Sequence, residues 1–400
     1  MNNEIRNESQ ALPESIRCVG ADDLTLSLFE NQYPVQPMGV SYNSYLILDE
    51  KIAVMDSVDA RAADEWLAKL AHELDGRRPD YLVISHMEPD HSGSILRLAE
   101  RYPEMQLVGN AKTFAMLRQF FGAKAPTDDR LLEVGEGETL PLGAHTLHFM
   151  LAPMVHWPEV MVAYEETEKL LFSADAFGRF GSLGRTANAP WAPQARRYYY
   201  NIVGKYGAQV QALLKKASAL EIKTVCPLHG PVLTGEALGK ALRLYDLWSR
   251  WQSESPDDIL LAHASIHGNT ARAAELLKQK LEAKGARVTL CDLTTTEVSY
   301  AVANAFYCGK LVLACSTYDG GLFPPMEEFL SHLQAKGFRS RSVGLMENGS
   351  WAPAAARLMR AKLEEMKDLR VCGTVVSLRS ALSPASEAQM EALSAELCAK

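Results

Sequence analysis

Ser85-His86-Met87-Glu88-Pro89-Asp90-His91-Ser92-Gly93 is the part of the chain richest in metal-ligating residue types. It follows an apolar, strand-like run at Tyr81–Ile84, and a helix is predicted to begin near Ser92. Alternate side chains of an extended segment share one side, so we expect His86, Glu88 and Asp90 to point together. His91 can turn back to the same place where the chain enters the helix. The pattern predicts a metal site at the end of a strand.

Three further residues have a similar placement and are expected to complete this site. His156, Asp175 and His229 each stand just past a strand-like run, in a loop marked by glycine or proline. Four histidines and three carboxylates are too many for one tetrahedral metal, so two metals are implied. Ligation by histidine and carboxylate without thiolate suits non-haem iron and oxygen chemistry better than a typical zinc hydrolase site.

Composition limits the class of protein. The chain has 400 residues, 47% of them hydrophobic, and a net charge of −8, which argues against nucleic acid or an anionic membrane as the main partner. No apolar run approaches the roughly 18 residues of a membrane span, and the polar start lacks the apolar stretch of a secretory signal. Seven cysteines without a C-x-x-C pair exclude a disulfide framework and a rubredoxin-type iron site. We therefore expect a cytoplasmic protein of two domains.

A polar, proline-containing stretch at Ser253–Asp258 separates the two expected domains, residues 1–253 and 254–400. In the second domain, five short apolar runs alternate with helix-like stretches, which predicts a doubly wound parallel α/β sheet. The first domain is richer in strands and fits a layered sandwich of sheets and helices. Its longest expected strand is Leu140–Leu151, and its longest expected helix is Gln194–Leu220.

Three loops of the second domain are expected to bind a phosphate-bearing ligand. The first, Ser265–Thr270, offers hydroxyls, a glycine and free backbone N–H groups at a helix start, although a plain helix cap would explain this segment alone. Two more loops follow the third and fourth expected strands, where a doubly wound sheet binds its ligand. The pattern resembles flavodoxin and hence implies FMN. The expected FMN contacts are Ser265, Ile266, His267, Gly268, Asn269, Thr270, Ser316, Thr317, Tyr318, Asp319, Gly320, Asn348, Gly349, Ser350 and Trp351.

The order of ligand residues in the first domain resembles the metallo-β-lactamase superfamily, whose zinc hydrolases generally carry H-x-H-x-D-H. Glu88 replaces the second histidine, and this change, with Ser173-Ala-Asp-Ala-Phe-Gly178 and Ala195-Arg-Arg-Tyr-Tyr-Tyr200, resembles the flavodiiron proteins. The resemblance covers nearly the whole chain. It implies a metallo-β-lactamase-like αββα sandwich fused to a C-terminal flavodoxin-like domain with a five-stranded sheet.

The same resemblance implies ligands and partners. His86, Glu88 and His156 would hold one iron, Asp90, His91 and His229 the other, with Asp175 bridging. The implied activity is reduction of O2 to water, of NO to N2O, or both, with electrons from an external donor such as a rubredoxin or a reduced flavin or deazaflavin system. A head-to-tail homodimer, or a dimer of such dimers, is implied as well.

Two points stay open in the sequence. One of Tyr198–Tyr200 is expected to contribute a pocket hydroxyl, and Tyr199 is our candidate. Glu30 stands where some members of the family place a histidine near the substrate pocket. The main rival interpretation is a zinc hydrolase of the glyoxalase or β-lactamase type with an appended flavodoxin module. A second is a flavin electron carrier whose sandwich domain is purely structural.

Overall fold

The computed structural model describes residues 12–399. Contacts divide the chain into two compact units. The first runs to Tyr199 and includes Tyr206–Asp246, and the second comprises Tyr200–Lys205 and Leu247–Lys400. The division after Asp246 falls inside a helix, so the boundary expected after residue 253 stays a prediction.

The first unit is built mainly from short strands. In chain order these are β1 (Ile16–Cys18), β2 (Ala21–Asp23), β3 (Leu28–Phe29), β4 (Tyr33–Pro34), β5 (Val40–Tyr42), β6 (Tyr45–Ile47), β7 (Ala53–Met55), β8 (Tyr81–Val83), β9 (Gln106–Gly109), β10 (Leu131–Glu133), β11 (Thr139–Pro141), β12 (Thr146–Leu151), β13 (Met161–Glu165), β14 (Leu170–Phe172), β15 (Thr224–Cys226) and β16 (Leu233–Thr234).

Most of these strands form two sheets of six. One has the order β1-β6-β7-β8-β9-β10 and the other the order β11-β12-β13-β14-β15-β16. Side chains of both sheets share one hydrophobic core, with Met55 and Val83 from the first and Phe149 and Phe172 from the second. The apolar residues that alternate along each strand therefore meet between two stacked sheets, as the expected sandwich requires.

Helices of the first unit connect and flank the strands. They are α1 (Ala63–Leu74), α2 (Pro89–Ser92), α3 (Ile95–Arg101), α4 (Ala111–Phe121), α5 (Leu183–Thr186), α6 (Trp191–Tyr198) and α7 (Gly207–Ala217), and α8 (Gly235–Ser249) runs across the division between the units. In α1, Trp66, Leu67, Leu70 and Leu74 are buried at the spacing of one helical face.

Two sequence predictions for the first unit are wrong in detail. The expected strand Leu140–Leu151 is two antiparallel strands, β11 and β12, joined by a turn at Leu142–His145. Gly143, at φ 131°, makes this turn possible, because few residues other than glycine adopt that conformation. The expected helix Gln194–Leu220 is interrupted after Tyr198 by a π-helical turn at Tyr199–Val203 and a short 3₁₀ helix at Gly204–Tyr206.

The second unit has the expected doubly wound sheet. Its elements are β17 (Ser255–Ala264), α9 (Asn269–Ala283), β18 (Val288–Asp292), α10 (Val298–Tyr307), β19 (Cys308–Tyr318), β20 (Gly321–Leu322), α11 (Pro324–Ala335), β21 (Ser342–Asn348), α12 (Ala355–Glu364), β22 (Arg370–Leu378) and α13 (Pro384–Cys398). Five parallel strands follow the order β18-β17-β19-β21-β22, which is the flavodoxin-like order with its reversal beside β17.

The third strand of this sheet is longer than the sequence indicated. β19 continues through Ser316 and Thr317 to Tyr318 and pairs with β20. The expected loop is thus a tight hairpin turn at Asp319 and Gly320, both with positive φ. Among residues 12–399, no helix combines the length and the apolar character that a membrane crossing requires.

Candidate metal centre and flavin loops

The segment after β8 carries four of the ligand-type residues. Helix α2 begins at Pro89, a residue suited to the first helical position because it has no N–H to leave unpaired. Asp90 is therefore helical and does not point with His86 and Glu88, contrary to the alternation expected for an extended chain. His86 and His91 are fully buried, and Asp90 is 8% exposed.

A buried aspartate that sequence reasoning missed holds this segment in place. Asp56, in the left-handed region at φ 57°, directly follows β7. Its Oδ1 accepts hydrogen bonds from the backbone N–H groups of Ser85, at 2.7 Å, and His86, at 3.3 Å. Burial raises the pKa of Asp56 to about 6, although these two bonds oppose the shift. Its only sequence signal is an aspartate at the end of an apolar strand.

The first group of ligand atoms comprises His86, Glu88, His156 and Asp175, whose candidate atoms all lie within 4.8 Å of one another. The Oε2 atom of Glu88 lies 3.2 Å from Nε2 of His86 and 3.0 Å from Nε2 of His156. The Oδ2 atom of Asp175 lies 3.1 Å from Nε2 of His156. Two histidines and two carboxylates thus face a common point.

The second group comprises Asp90, His91 and His229. Oδ2 of Asp90 lies 3.3 Å from the Nε2 atoms of both histidines. Asp175 reaches this group with its other oxygen, since Oδ1 lies 3.2 Å from Nε2 of His91. One carboxylate therefore faces both groups, in the position that a bridging ligand would occupy.

Hydrogen bonds behind the histidines orient two of the rings. Nδ1 of His86 donates to Oε1 of Glu159 at 2.8 Å, and Nδ1 of His229 donates to the carbonyl oxygen of Ser41 at 2.7 Å. With the proton on Nδ1, each ring presents the lone pair of Nε2 to the site. The sequence analysis missed both partners. Glu159 lies three residues after His156, but nothing in that spacing predicts a bond to His86.

The geometry fits a pair of metal ions. Nε2 of His91 lies 3.0 Å from Nε2 of His229, which is the separation expected when two nitrogens each lie about 2.1 Å from one metal at a right angle. Within residues 12–399, both carboxylate oxygens of Asp90 and Oδ1 of Asp175 are buried without a hydrogen bond. Buried carboxylate oxygens normally have partners, so these atoms are arranged for a cation.

The pKa shifts of the ligand side chains also indicate a site for positive charge. Burial alone would lower the pKa of His156, but hydrogen bonds to Asp175 and Glu88 raise it to about 9. Burial likewise opposes ionisation of Glu88, yet the neighbouring His156 and His86 hold its pKa well below the usual value. The metal-free site therefore attracts positive charge, and metal ions would replace the protons that these histidines otherwise carry.

Aromatic rings line the second group. The ring centroids of Phe29 and Tyr198 each lie 5.4 Å from that of His229, and Phe180 packs on both. The Tyr198 hydroxyl is buried without a hydrogen-bond partner in the described part of the chain. Burial and the negative charges of Asp175 and Asp90 raise the pKa of Tyr198 well above its usual value, so the hydroxyl stays protonated.

Tyr199, the candidate from the sequence, makes a different ring contact. Its ring packs at 5.1 Å against Tyr245, whereas Tyr198 contacts the ligand histidine. The sequence could not show which of the three consecutive tyrosines faces the ligands, because the helix type changes among them and only the backbone shows where. Tyr198 closes α6, and the π-helical turn begins at the next residue.

Glu30 approaches the first group from the hairpin between β3 and β4. Glu30 and Asn31 both have positive φ there. The residue as a whole is exposed, but its carboxyl group is desolvated. That desolvation and the negative charge of Glu88 raise the pKa of Glu30 to about 7, against the pull of His156.

In the second unit, hydrogen bonds connect the three predicted flavin loops. Oγ1 of Thr270 lies 2.9 Å from Oγ of Ser316, and Nδ2 of Asn348 donates to Thr270 at 3.3 Å. Gly268, at φ 88°, precedes α9 and its N–H donates to Oγ of Ser265. The loops thus meet at the carboxyl ends of β17, β19 and β21.

The remaining predicted FMN contacts lie mostly at the surface. Exposed apolar side chains cluster in the same loops: Ile266 is 38%, Tyr318 45% and Trp351 88% exposed. The carboxylate of Glu347, in contrast, is hydrogen-bonded within the unit. It accepts from the N–H of Ala356 and from the hydroxyl of Ser377. Exposed aromatic groups around a phosphate-type loop are typical of a flat, partly apolar ligand.

Comparisons with known proteins agree with this architecture. A family profile described as "ODP family beta lactamase" matches residues 40–230. The chain is 30% identical to "Putative diflavin flavoprotein A 1" of a Nostoc species, over 91% of this chain and 61% of that protein, so it spans about three fifths of that relative's length. It is 27% identical to "Nitric oxide reductase" of Moorella thermoacetica, over 89% of this chain and 90% of that one.

Solved structures share the whole fold. The rubredoxin oxygen:oxidoreductase of Desulfovibrio gigas superposes with a TM-score of 0.89 at 24% identity, covering 97% of both chains. The flavodiiron protein of Giardia intestinalis gives a TM-score of 0.87 at 24% identity, also over 97% of both chains. Fold, relatives and the two groups of ligand-type residues agree that this chain is similar to the flavodiiron proteins along nearly its whole length.

Proposed function

We propose that this chain is an oxidoreductase that passes electrons from an external donor through FMN to a non-haem diiron centre and reduces O2 to water, NO to N2O, or both. One observation carries the proposal: seven ligand-type side chains, with no thiolate among them, converge in two adjoining groups that share Asp175. The Moorella relative is named a nitric oxide reductase, and the D. gigas relative a rubredoxin-oxygen oxidoreductase. Both names support this class of reaction.

The groups suggest how the ligands divide. His86, Glu88 and His156 would hold one iron, and Asp90, His91 and His229 the other, with one oxygen of Asp175 directed at each. When bound, the iron pair supplies the change of oxidation state and the open coordination positions at which the gas reacts. Asp56, Glu159 and the Ser41 carbonyl keep the ligands oriented.

Residues around the ligands have roles that do not depend on redox chemistry. Phe29 packs on His229 and Phe180 packs behind Phe29, and this apolar surface keeps bulk water from this side while a small apolar gas can dissolve there. Tyr198 holds its proton at the hydroxyl oxygen and has that donor free to meet a developing negative charge. Glu30 places a second carboxyl beside Glu88 and tunes the charge at the first group.

The second unit would hold FMN non-covalently. Ser265–Thr270 would cradle the phosphate at the start of α9, and Tyr318 and Trp351 would flank the isoalloxazine ring. We further propose a cytoplasmic location and a rubredoxin or reduced flavin system as the donor. A head-to-tail homodimer, in which one subunit's flavin serves its partner's irons, completes the proposal.

Purified protein loaded with iron under anaerobic conditions tests the function. We expect two irons per chain by elemental analysis, FMN on chromatography of the released flavin, and consumption of O2 or NO when a chemical donor reduces the protein. Zinc with hydrolysis of thioesters would instead favour the hydrolase interpretation. FAD in place of FMN, or irons without gas consumption, would contradict the proposal.

Glu88→Ala sharpens this test, because Glu88 distinguishes the site from the zinc hydrolases. The variant should lose iron and reductase activity while keeping FMN, since the flavin loops belong to the other unit. Glu88→His should move the metal preference towards zinc. Full iron content and activity in Glu88→Ala would show that Glu88 is not a ligand.

The proposed dimer has its own test. Asp175→Ala should keep flavin but lose the diiron site, and Thr270→Pro should keep irons but damage the phosphate loop. Mixed dimers of the two proteins would contain one intact flavin facing one intact diiron site and should regain activity. Verified mixed dimers that stay inactive, with each parent retaining its undamaged cofactor, would contradict electron transfer between subunits.

A further inference from the structure

The two groups of direct ligands are chemically matched. Each contains two histidines and one carboxylate of its own, and Asp175 lies between them. These ligands alone would give two irons of similar electron density. A difference between the two positions must therefore come from the surroundings of the ligands, which comprise the carboxyl groups of Glu30 and Asp56 and the atoms hydrogen-bonded behind the ligand rings.

Those atoms differ sharply. Behind the first group, Nδ1 of His86 donates to the carboxylate of Glu159 at 2.8 Å, and both side chains are fully buried. Behind the second group, Nδ1 of His229 donates to a neutral backbone carbonyl at 2.7 Å. Nδ1 of His91 is buried and has no hydrogen-bond partner within the described residues.

Glu159 is held firmly enough to exert this effect. Its Oε1 also accepts from the N–H of Met87 at 2.8 Å, and Nδ2 of Asn110 donates to its backbone carbonyl at 2.6 Å. Oε2 is buried without a partner in residues 12–399. A carboxylate so placed has little water to screen its charge, so the charge acts on His86.

We propose that Glu159 makes the two iron positions electronically unequal, so that the iron held by His86, Glu88 and His156 is the harder of the two to reduce. A carboxylate that accepts the Nδ1 proton makes the imidazole a stronger electron donor through Nε2. That donation stabilises the ferric state of the attached iron. The first electron should therefore reduce the iron held by Asp90, His91 and His229. Glu159 acts through His86 and is a positioning residue, and the inference rests on the proposed diiron centre.

Stepwise reduction of the wild-type protein gives the first test. Protein loaded with the Mössbauer isotope of iron is titrated with dithionite, each electron converting one ferric ion to ferrous. His229→Gln, which alters only the second group, assigns the signals to the two positions. The proposal expects the signal altered in His229→Gln to become ferrous first. If the other signal becomes ferrous first, the proposal is overturned, and this arm requires no change at Glu159.

The second test replaces the charge and keeps the shape. Glu159→Gln retains an oxygen that can accept from His86 and Met87. The reduction potential of the first position should rise towards that of the second, and iron binding there should weaken by about 10- to 100-fold. Asn110→Ser is the matched control, because it removes the bond to the Glu159 backbone while leaving the carboxylate in place. Its two potentials should match those of the wild type.

The outcomes separate the two proposals. A wild-type protein that binds no iron pair contradicts the proposed function. A wild-type protein with two irons, whose potentials are unchanged in folded Glu159→Gln, contradicts the role of Glu159 alone. Equal shifts in Glu159→Gln and Asn110→Ser would assign the effect to displacement of the loop, and the charge would then have no part in it. Glu30 and Asp56 are unchanged in every variant, so their contributions cancel when Glu159→Gln is compared with the wild type.

Discussion

The candidate metal centre and the flavin loops differ in how far each is formed by the chain alone. The metal ligands His86, His91 and His229 are fully buried, and hydrogen bonds to Glu159 and to the Ser41 carbonyl orient the rings of His86 and His229. The flavin loops join through a few hydroxyl and amide bonds, and their aromatic side chains project into solvent, with Trp351 88% exposed. The first site is preorganised by the core around it. The second depends more on its ligand for order.

Removing the shared carboxylate is expected to have the largest effect. Asp175→Ala deletes a side chain that faces both ligand groups, so iron content should fall from two per chain to near zero and gas reduction should stop. FMN should remain bound, because the flavin loops lie in the other unit. Elemental and flavin analysis of the same sample measures both, with Glu166→Ala as a carboxylate control outside the site. Loss of FMN in Asp175→Ala would show that the flavin loops depend on the metal centre.

Chelation of the metals should destabilise the first unit. A ligand present at about 1,000 times its Kd stabilises the folded state by about 4 kcal/mol, which corresponds to roughly 10 °C in a unit of this size. Without metal, the buried oxygens of Asp90 have no hydrogen-bond partner in the described chain. Calorimetry with and without chelator measures the shift, and flavin fluorescence follows the second unit. Equal shifts in both signals would mean that the two sites are not independent.

Tyr198→Phe should lower kcat by about 100-fold if its hydroxyl supplies a proton or a hydrogen bond to the reacting gas. Iron content should not change, because the ring that packs on His229 is retained. Tyr199→Phe is the matched control, since that ring packs on Tyr245. Equal losses of kcat in the two variants would show that the Tyr198 hydroxyl has no special role in the reaction.

Gly268→Ala tests the weaker preorganisation of the flavin loops. An alanine at φ 88° is strained by about 1–2 kcal/mol, but no atom lies within 4 Å of the added methyl group. The exposed loop can relax when FMN is absent, so the strain should reappear on binding and weaken FMN by about 5- to 30-fold. Gly285→Ala, at φ 86° and equally open, should cost stability without changing FMN affinity. Unchanged FMN binding in Gly268→Ala would indicate that the free loop is as rigid as the metal site.

The sequence predicted elements that repeat or alternate and side chains of metal-ligand type, and it failed for the contacts that ordinary residues make with distant segments. The second unit could be anticipated because β17 to β22 alternate with helices, and parallel strands place their carboxyl ends together. The ligand residues could be singled out because histidines and carboxylates rarely cluster in one short loop. Helix α2 was not anticipated, so strand alternation put Asp90 beside His86 and Glu88, whereas the resemblance to the flavodiiron proteins grouped it with His91 and His229, as the structure does.

Residues that act through another residue left no such signal. Glu159 bonds to a histidine 73 positions away, and Asp56 bonds to backbone 29 and 30 positions away. Each is an ordinary acidic residue near the end of an apolar run. The packing of the two sheets brings Glu159 to His86, whereas the parallel pairing of β7 with β8 brings Asp56 to the backbone of Ser85 and His86. Tyr198 and Tyr199 differ only by helix phase, which changes at the π-helical turn.

The segment that carries His229 is secured by Asn43, which donates to the carbonyl oxygens of Pro227 and Gly230. These partners lie 184 and 187 positions away along the chain. During synthesis, the residues around His86 are made early, whereas the two hydrogen bonds from Asn43 cannot form until Gly230 has been made. Contacts of such long range form late in folding. The nascent chain therefore offers an incomplete ligand set until the residues around His229 have been made, and the second ligand group can be complete only after that point.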